Sequence, residues 1–195
     1  EMGKRRIGKY IIHDVNKRGN LNISEVLNFS SNIGASKIIE KISNNKYYSF
    51  LKNLGFGSKT NIQLPGEAKG ILINPEKWSQ IQAANISFGQ GMSVTSLQLA
   101  KALSIIANGG VNIEPYLIKS ITNSKGEIIF EKKLNPGRRV ISYTTSKKMR
   151  KLLKSVVEDG GGFKAQIEGV SVSGKTGTGQ VATKGGYSKE RFIVS

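Results

Sequence analysis

The sequence predicts a mixed α/β or α+β domain, with helices in the middle of the chain and strands towards its C-terminal end. Apolar residues recur at helical spacing in the central segments, whereas short β-branched runs separated by glycines follow them. Hydrophobic residues make up 37% of the 195 residues and charged residues 22%, which is typical of a globular chain. There are no internal repeats, so we expect one domain or most of a larger one.

Helix signals begin in the first quarter of the chain. Ser24 is predicted to cap a short helix over EVLNF, and a longer helix is predicted from Gly34. Another helical segment is predicted from Trp78 to Ile86. The clearest helix follows Thr95 and Gln98, which form a capping box, and a glycine pair ends it.

The second half of the chain begins with a predicted hairpin. Strands are expected at Tyr116–Ile121 and Glu127–Glu131, joined by an Asn-Ser-Lys-Gly turn. A helix is expected from Thr145 to Glu158, because five apolar residues recur there at helical spacing. The alternation VSVS, residues 170–173, then predicts a strand, and Arg191–Ser195 predicts another after a turn at Lys184–Gly186.

The segment GVSVSGKT, which starts at Gly169, matches the nucleotide-binding pattern G-x-x-x-x-G-K-[ST] letter by letter. A phosphate-binding loop needs a strand before its first glycine and a helix after Lys175-Thr176. Here the strand pattern occupies the loop itself, and the residues that follow are glycines and β-branched residues, which form helices poorly. We therefore read the segment as a K-T-G box on a strand, and not as a nucleotide site.

The net charge of +17 invites a nucleic-acid interpretation. The lysines are scattered, however, and the short basic clusters have no adjacent aromatic residues for base stacking. We expect a solvated basic surface and no nucleic-acid partner. The chain has no cysteine and no apolar run long enough to cross a bilayer.

A second short motif stands upstream of K-T-G. Ser30-Ser31-Asn32 fits S-x-N and lies between a short predicted helix and a longer one. Taken alone, this triplet is more simply a helix N-cap. Its order relative to K-T-G is the order found in penicillin-binding enzymes.

Four longer stretches carry a family resemblance: EVLNFSSNIGASKI, LGFGSKTNIQLPGE, ISFGQGMSVTSLQLAKALSIIANGG and GRRVISYTTSKKMRKLLKSVVEDGG. They resemble the transpeptidase domain of class B penicillin-binding proteins, and most closely the division-type (septal) D,D-transpeptidases. The resemblance extends from about Tyr10 to the C-terminus.

The resemblance implies the fold of serine β-lactamases and penicillin-binding transpeptidases, an antiparallel sheet flanked by helices. It implies cross-linking of peptidoglycan by acyl transfer on D-Ala-D-Ala stem peptides, with no metal or organic cofactor and with covalent inhibition by β-lactams. It also implies that the protein acts on the periplasmic (extracytoplasmic) face of the cytoplasmic membrane and is held there by an anchor outside this chain. Other division proteins are its implied partners.

The resemblance assigns catalytic roles to Ser30, Asn32 and Lys175. Lys175 would place a positive charge in the cleft, and Ser30 would relay a proton towards the leaving nitrogen. Asn32 would orient the catalytic lysine and the amide of the substrate.

Substrate binding falls to the K-T-G box. Thr176 and Thr178 would donate hydroxyls to the substrate carboxylate, and Gly177 would let the ligand backbone come close. The backbone N–H of Thr178 would form half of the oxyanion hole.

The nucleophile of the family lies in an S-x-x-K motif ahead of S-x-N, and no such motif precedes Ser30. The two matches, at Ser43–Lys46 and Ser49–Lys52, follow S-x-N and are no more than chance produces, so we reject both. We expect residues 1–195 to be a partial transpeptidase domain, truncated at both ends and inactive alone.

Two alternatives remain within the same fold. A β-lactamase or D,D-carboxypeptidase would share these boxes, and a non-catalytic penicillin-binding sensor would keep the fold with reduced chemistry. His13, the only histidine, is expected to be an ordinary surface residue beside Asp14.

Overall fold

The computed structural model describes residues 3–133, 135–183 and 186–194. Six α-helices and eight short strands occur in this part of the chain. The helices are α1 Ile23–Asn28, α2 Asn32–Ile39, α3 Asn44–Asn53, α4 Gln82–Ser87, α5 Ser96–Ala107 and α6 Tyr143–Glu158. The strands are β1 Lys4–Ile7, β2 Tyr10–His13, β3 Val111–Asn112, β4 Ser120–Thr122, β5 Ile128–Glu131, β6 Arg138–Arg139, β7 Thr178–Thr183 and β8 Gly186–Val194.

All strand pairs found in the described residues are antiparallel. They form four two-stranded ladders, which pair β1 with β2, β3 with β6, β4 with β5, and β7 with β8. The mixed helix-and-strand class predicted from the sequence is therefore confirmed. The chain divides into two compact units.

The first unit comprises Glu1–Tyr48, Ile73–Met92 and Lys148–Ser195. Its apolar cluster is formed by residues of the first hairpin, α2 and α4. The fully or nearly fully buried members are Ile12, Ile33 and Ala84, and Ile7, Ile81 and Phe88 pack around them.

Helices α1 and α2 approach each other very closely in this unit. A Cβ atom added to Gly34 would lie 2.5 Å from Cγ2 of Val26, well inside van der Waals contact. Any residue larger than glycine at position 34 would push the two helices apart. The close approach fixes the two-helix corner in which Ser30 lies.

The second unit comprises Ser49–Leu72 and Ser93–Lys147. Its central helix, α5, begins with the predicted capping box. The side-chain oxygen of Thr95 accepts from the backbone N–H of Gln98, and the side-chain oxygen of Gln98 accepts from the backbone N–H of Thr95. Gln98 is completely buried, and its amide also donates to the carbonyls of Ser58 (2.7 Å) and Lys69 (2.9 Å). It thereby ties two loop segments to the start of the helix.

Four element predictions need correction. The strand predicted at Tyr116–Ile121 is confined to Ser120–Thr122, because the N–H groups of Leu117 and Ile118 donate to Oε1 of Gln63 and not to a ladder partner. The N-cap of α1 is Asn22, not Ser24, because Asn22 exchanges hydrogen bonds with Glu25 in a capping box two residues earlier than expected. The predicted helix at Trp78–Ile86 is shorter, since Trp78 is extended and its indole N–H donates to the Ile73 carbonyl. A 3₁₀ turn precedes Trp78, and α4 starts only at residue 82.

The last correction concerns VSVS, which forms no strand. Residues 171–177 belong to no ladder, and Val170 makes only an isolated bridge to Ile167. The K-T-G box therefore precedes a strand, β7, instead of ending one. Of the predicted turn at Lys184–Gly186, the first two residues lie outside the described part of the chain, as does Ser195.

Candidate active site

Ser30 occupies the tight corner between α1 and α2. Its backbone is left-handed, with φ of 53°, which is uncommon for a residue other than glycine. The Ser30 N–H donates to the Leu27 carbonyl at 3.2 Å, and the Ser31 N–H donates to the Val26 carbonyl at 2.9 Å. These bonds close the end of α1 and leave the Ser30 side chain exposed.

Ser31, the middle residue of S-x-N, caps α2. Its hydroxyl oxygen accepts from the Gly34 N–H at 2.9 Å, as an N-cap serine does. The same hydroxyl donates to Oδ2 of Asp14 at 2.6 Å, and Oδ1 of Asp14 accepts from the Ile33 N–H at 3.0 Å. The helix-cap and S-x-N interpretations are thus compatible, because Ser31 caps the helix and the side chains of Ser30 and Asn32 are not needed for the cap.

The side chain of Asn32 is held by the end of strand β2. Its Nδ2 donates to the backbone carbonyl of His13 at 3.0 Å, so the end of β2 fixes the orientation of the amide. The His13 residue itself is exposed. The expected role of Asn32 towards the catalytic lysine and substrate stays a prediction.

Lys175 reaches the S-x-N corner from the C-terminal part of the chain. Its ammonium donates to Oγ of Ser30, and also to the carbonyl oxygen of Thr176 at 2.9 Å. The segment before it is attached to α6, since the Gly174 N–H donates to the Leu153 carbonyl at 3.1 Å. Two motifs 145 positions apart in sequence therefore meet through one hydrogen bond.

The environment of Lys175 lowers the proton affinity of its side chain. Partial desolvation of the ammonium lowers the pKa of Lys175 below its ordinary value of 10.5, although the residue as a whole is exposed. A lysine that gives up its proton more readily is suited to proton exchange with the hydroxyl it contacts.

The remaining K-T-G residues lie at the start of β7. Thr176 and Thr178 are exposed, and Gly177 between them is half-buried. Thr178 is the first residue of β7 and pairs with Val194. The structure thus brings Ser30, Lys175 and Thr176 together directly, and it places Thr178 two residues further along the same segment.

The rejected S-x-x-K match at Ser49–Lys52 makes ordinary structural contacts. The Lys52 ammonium donates to Oγ of Ser58 at 2.5 Å and to the Gly57 carbonyl at 3.3 Å, and so closes the loop after α3. Within the described residues no group of three His, Asp or Glu side chains is placed to hold a metal ion. No helix of the described residues is long and apolar enough to cross a bilayer.

Asp14 is the site-supporting residue that sequence reasoning missed. The sequence shows it only as a carboxylate that follows a short strand, 17 residues before Ser31. A helix start with unpaired N–H groups is a signal that a carboxylate belongs nearby, but the sequence does not say which one.

Replacing Asp14 with asparagine is expected to destabilise the protein by about 1.5–3 kcal/mol, since one of the two acceptor oxygens becomes an amide nitrogen and the charge that strengthens both hydrogen bonds is lost. Urea denaturation measures the change. Asp159→Asn is the matched control, because no hydrogen bond of the Asp159 carboxylate occurs in the described structure. Equal effects of the two substitutions would contradict the anchoring role of Asp14.

Comparison with known proteins identifies the family. The model of the penicillin binding protein transpeptidase domain matches residues 1–194. Stage V sporulation protein D of Bacillus subtilis is 39% identical over 172 residues, which cover 88% of this chain and 27% of that protein. The probable peptidoglycan D,D-transpeptidase FtsI of Caulobacter vibrioides is 35% identical over 180 residues, which cover 90% of this chain and 28% of that protein.

Solved structures agree with this assignment. Penicillin binding protein 3 from Mycobacterium tuberculosis, complexed with ampicillin, superposes with a TM-score of 0.92 at 30% identity, covering 98% of this chain and 45% of that one. The transpeptidase domain of penicillin-binding protein 3 from Burkholderia pseudomallei gives a TM-score of 0.86 at 30% identity, covering 98% of this chain and 56% of that one. The chain spans about a quarter of the length of the curated relatives named above. A family match over almost every residue, with S-x-N and K-T-G in contact, shows that this chain belongs to the penicillin-binding protein transpeptidase domain family.

Proposed function

We propose that this chain supplies the S-x-N and K-T-G parts of the active site of a serine D,D-transpeptidase. The observation that carries the proposal is the hydrogen bond from the Lys175 ammonium to Ser30 Oγ. In this proposal residues 1–195 are a partial transpeptidase domain, and the nucleophilic serine belongs to another part of the protein.

The reaction is acyl transfer between stem peptides. The nucleophilic serine attacks the carbonyl between the two terminal D-alanines, a new ester bond forms, and the C–N bond to the last D-alanine breaks. The leaving nitrogen needs a proton as that bond breaks. Ser30 donates its hydroxyl proton to the leaving nitrogen and takes one from Lys175, so the contact between the two side chains forms the relay.

The threonines of the K-T-G box are proposed to hold the substrate. In the described structure β7 pairs only with β8, so the backbone N–H and C=O groups on its other edge can form hydrogen bonds with an extended ligand. The hydroxyls of Thr176 and Thr178 are exposed and can donate to the terminal carboxylate of the peptide. Gly177 has no side chain, so the backbone of the peptide can come close to it. The Thr178 N–H would stabilise the oxyanion.

The relatives support a proposal for inhibitor binding and for the cellular role. The similar protein from M. tuberculosis was solved in complexes with ampicillin and with aztreonam. We propose that the full-length protein binds β-lactams covalently and acts outside the cytoplasmic membrane, on peptidoglycan made at division. Other division proteins are proposed as its partners.

Fluorescent penicillin tests the proposal on the full-length protein. We expect one stable covalent label per molecule, release of D-alanine from a D-Ala-D-Ala peptide, and transfer of the acyl group to an added amine. Residues 1–195 expressed alone should remain unlabelled. Rapid turnover of the penicillin would identify a β-lactamase. Release of D-alanine without transfer of the acyl group would identify a carboxypeptidase. Covalent labelling without release or transfer would identify a sensor.

A further inference from the structure

A surface cavity of about 470 Å³ lies within the second unit. Its wall contains Lys101 of α5, Glu114, which lies two residues after β3, and Arg138, the first residue of β6. Lys132 and Lys133, which follow β5, complete its charged lining. Ligand sites in proteins have volumes of about 300–1,000 Å³, so this cavity is large enough for a small molecule. The proposed acyl transfer does not account for it, because no residue of S-x-N or K-T-G lines it.

The wall of this cavity has an excess of positive charge. Four cationic side chains and one carboxylate line it, which leaves a net charge of +3. In the part of the chain that the structure describes, none of these five side chains forms a hydrogen bond or an ion pair. Like charges in one cavity repel each other, and a concave wall concentrates their field. A bound anion would relieve this repulsion.

Arg138 and its neighbour Arg139 differ in what their side chains do. The guanidinium of Arg139 donates to the carbonyls of Gly109 at 2.6 Å and Ile141 at 3.2 Å, so it stabilises the fold. Successive side chains of a strand point to opposite faces, and Arg138 is exposed and lines the cavity. Its planar group of N–H donors is therefore available to a ligand.

The backbone that carries Arg138 is fixed from both sides. Arg138 is paired with Asn112 in the β3–β6 ladder, and the Asn112 amide donates to the Asn53 carbonyl at 3.3 Å. Gly137 has a left-handed φ of 30°, and a Cβ atom there would collide with the carbonyl oxygen of Asn112. Only glycine lets the chain enter β6 this close to β3. The guanidinium of Arg138 therefore starts from a defined place.

Two of the lysines are also positioned by their surroundings. The Lys132 N–H donates to the Lys119 carbonyl at 2.8 Å, which extends the hydrogen bonding between β4 and β5 up to the cavity. Lys101 is half-buried, and a Cβ atom on Gly55 would lie 3.8 Å from its Cδ, in ordinary van der Waals contact. The aliphatic part of Lys101 thus lies beside Gly55, and its ammonium group is directed to the cavity wall.

Phosphate is the anion that these donors fit best. Three of the four cations are lysines, whose ammonium groups are compact charges with three donors each and can surround a tetrahedral anion. A carboxylate has a single negative charge, whereas a phosphate ester carries about −1.5 to −2 and compensates more of the charge of the wall. No aromatic ring lines the described wall, so it has no surface on which a nucleic-acid base could stack.

We propose that this cavity binds a small anion that carries phosphate groups, and that two linked phosphates fill it better than one. Arg138 binds two oxygens of one phosphate with its parallel N–H groups, and the three lysines contact the remaining oxygens. Glu114 repels the anion and limits its affinity. The inference is independent of the proposed function, since all of these residues belong to the second unit.

Calorimetry on the full-length protein tests the site with inorganic pyrophosphate and inorganic phosphate at an ionic strength of about 0.15 M. Lys132→Gln and Arg138→Gln each remove one cation from the wall, and Glu114→Gln removes the carboxylate. Lys125→Gln is the matched control, because Lys125 is an exposed lysine of the same unit that does not line the cavity. A water-soluble short-chain phosphatidylglycerol and a tetraglutamate peptide are titrated in parallel.

We expect pyrophosphate to bind more tightly than phosphate, and Lys132→Gln and Arg138→Gln each to weaken its binding about tenfold. Glu114→Gln should tighten it about threefold, a change that a damaged fold would not produce. Lys125→Gln should match the wild type. Penicillin labelling tests the proposed function separately and should be the same in all of these variants.

The two phosphate-bearing ligands identify the source of the anion. Tighter binding of phosphatidylglycerol than of pyrophosphate would indicate a lipid headgroup, and the opposite order a soluble phosphate compound. Either order supports the site. No binding of pyrophosphate, an equal loss in Lys125→Gln and the wall variants, or tighter binding of the acidic peptide than of both phosphate ligands would overturn it.

Discussion

Replacing Lys175 with alanine in the full-length protein is expected to slow acylation by penicillin by about 10²–10⁴-fold, the range associated with loss of a general acid–base group. The substitution removes the ammonium that donates to Ser30 and to Thr176, so the relay loses its proton source and the cleft loses its positive charge. The measurement is the second-order rate of labelling by fluorescent penicillin.

Lys148→Ala is the matched control for this prediction. Lys148 is an exposed lysine of α6, and its removal changes the net charge by the same amount. Only a small change in rate is expected there. If Lys175→Ala labelled as fast as Lys148→Ala, the role assigned to Lys175 would be wrong.

The pH profile gives an independent check on Lys175. Because the pKa of Lys175 is lowered, its ammonium is lost at a pH below the ordinary 10.5. The neutral amine no longer attracts the carboxylate of the substrate. The labelling rate should therefore decline on the alkaline side below pH 10.5, and this decline should be missing in Lys175→Ala.

The second large effect concerns stability, and it is expected for Gln98→Met. Methionine has a similar length but no amide, so the carbonyls of Ser58 and Lys69 lose their donor and the Thr95 N–H loses its acceptor. An unpaired polar group that is shielded from water costs about 1–3 kcal/mol, and because these three hydrogen bonds are only partly buried we expect a total loss of about 3 kcal/mol. Urea denaturation of the full-length protein measures it.

Gln80→Met serves as the control for Gln98→Met. Gln80 is exposed, and the same chemical change there should alter the free energy of unfolding by less than about 0.5 kcal/mol. A loss at position 98 no larger than at position 80 would show that the carbonyls of Ser58 and Lys69 and the N–H of Thr95 find other partners.

Local signals explain which parts of the fold could be predicted. The capping box of α5 and the hydrophobic spacing of α6 are contained within a few consecutive residues, and both helices were found where the sequence places them. The alternation of VSVS is also local, but a strand needs a ladder partner and alternation does not provide one. That segment is instead attached to α6 through Gly174.

The candidate site was only partly predictable for the same reason. The motifs around Ser30 and Lys175 are short and can be read directly, and the structure joins them. The support from Asp14 depends on a side chain 17 residues away reaching two groups of another element. A single sequence gives no distances between elements, so this carboxylate was indistinguishable from a surface residue.

The left-handed backbone of Ser30 restricts which residues can replace it. A replacement must tolerate a φ of 53°, and in the proposed relay it must also provide a hydroxyl. Glycine tolerates this φ but has no hydroxyl, whereas threonine provides the hydroxyl but its branched Cβ is poorly accommodated in this conformation. Substitutions at Ser30 are therefore more restricted by the backbone than substitutions at the residues around it.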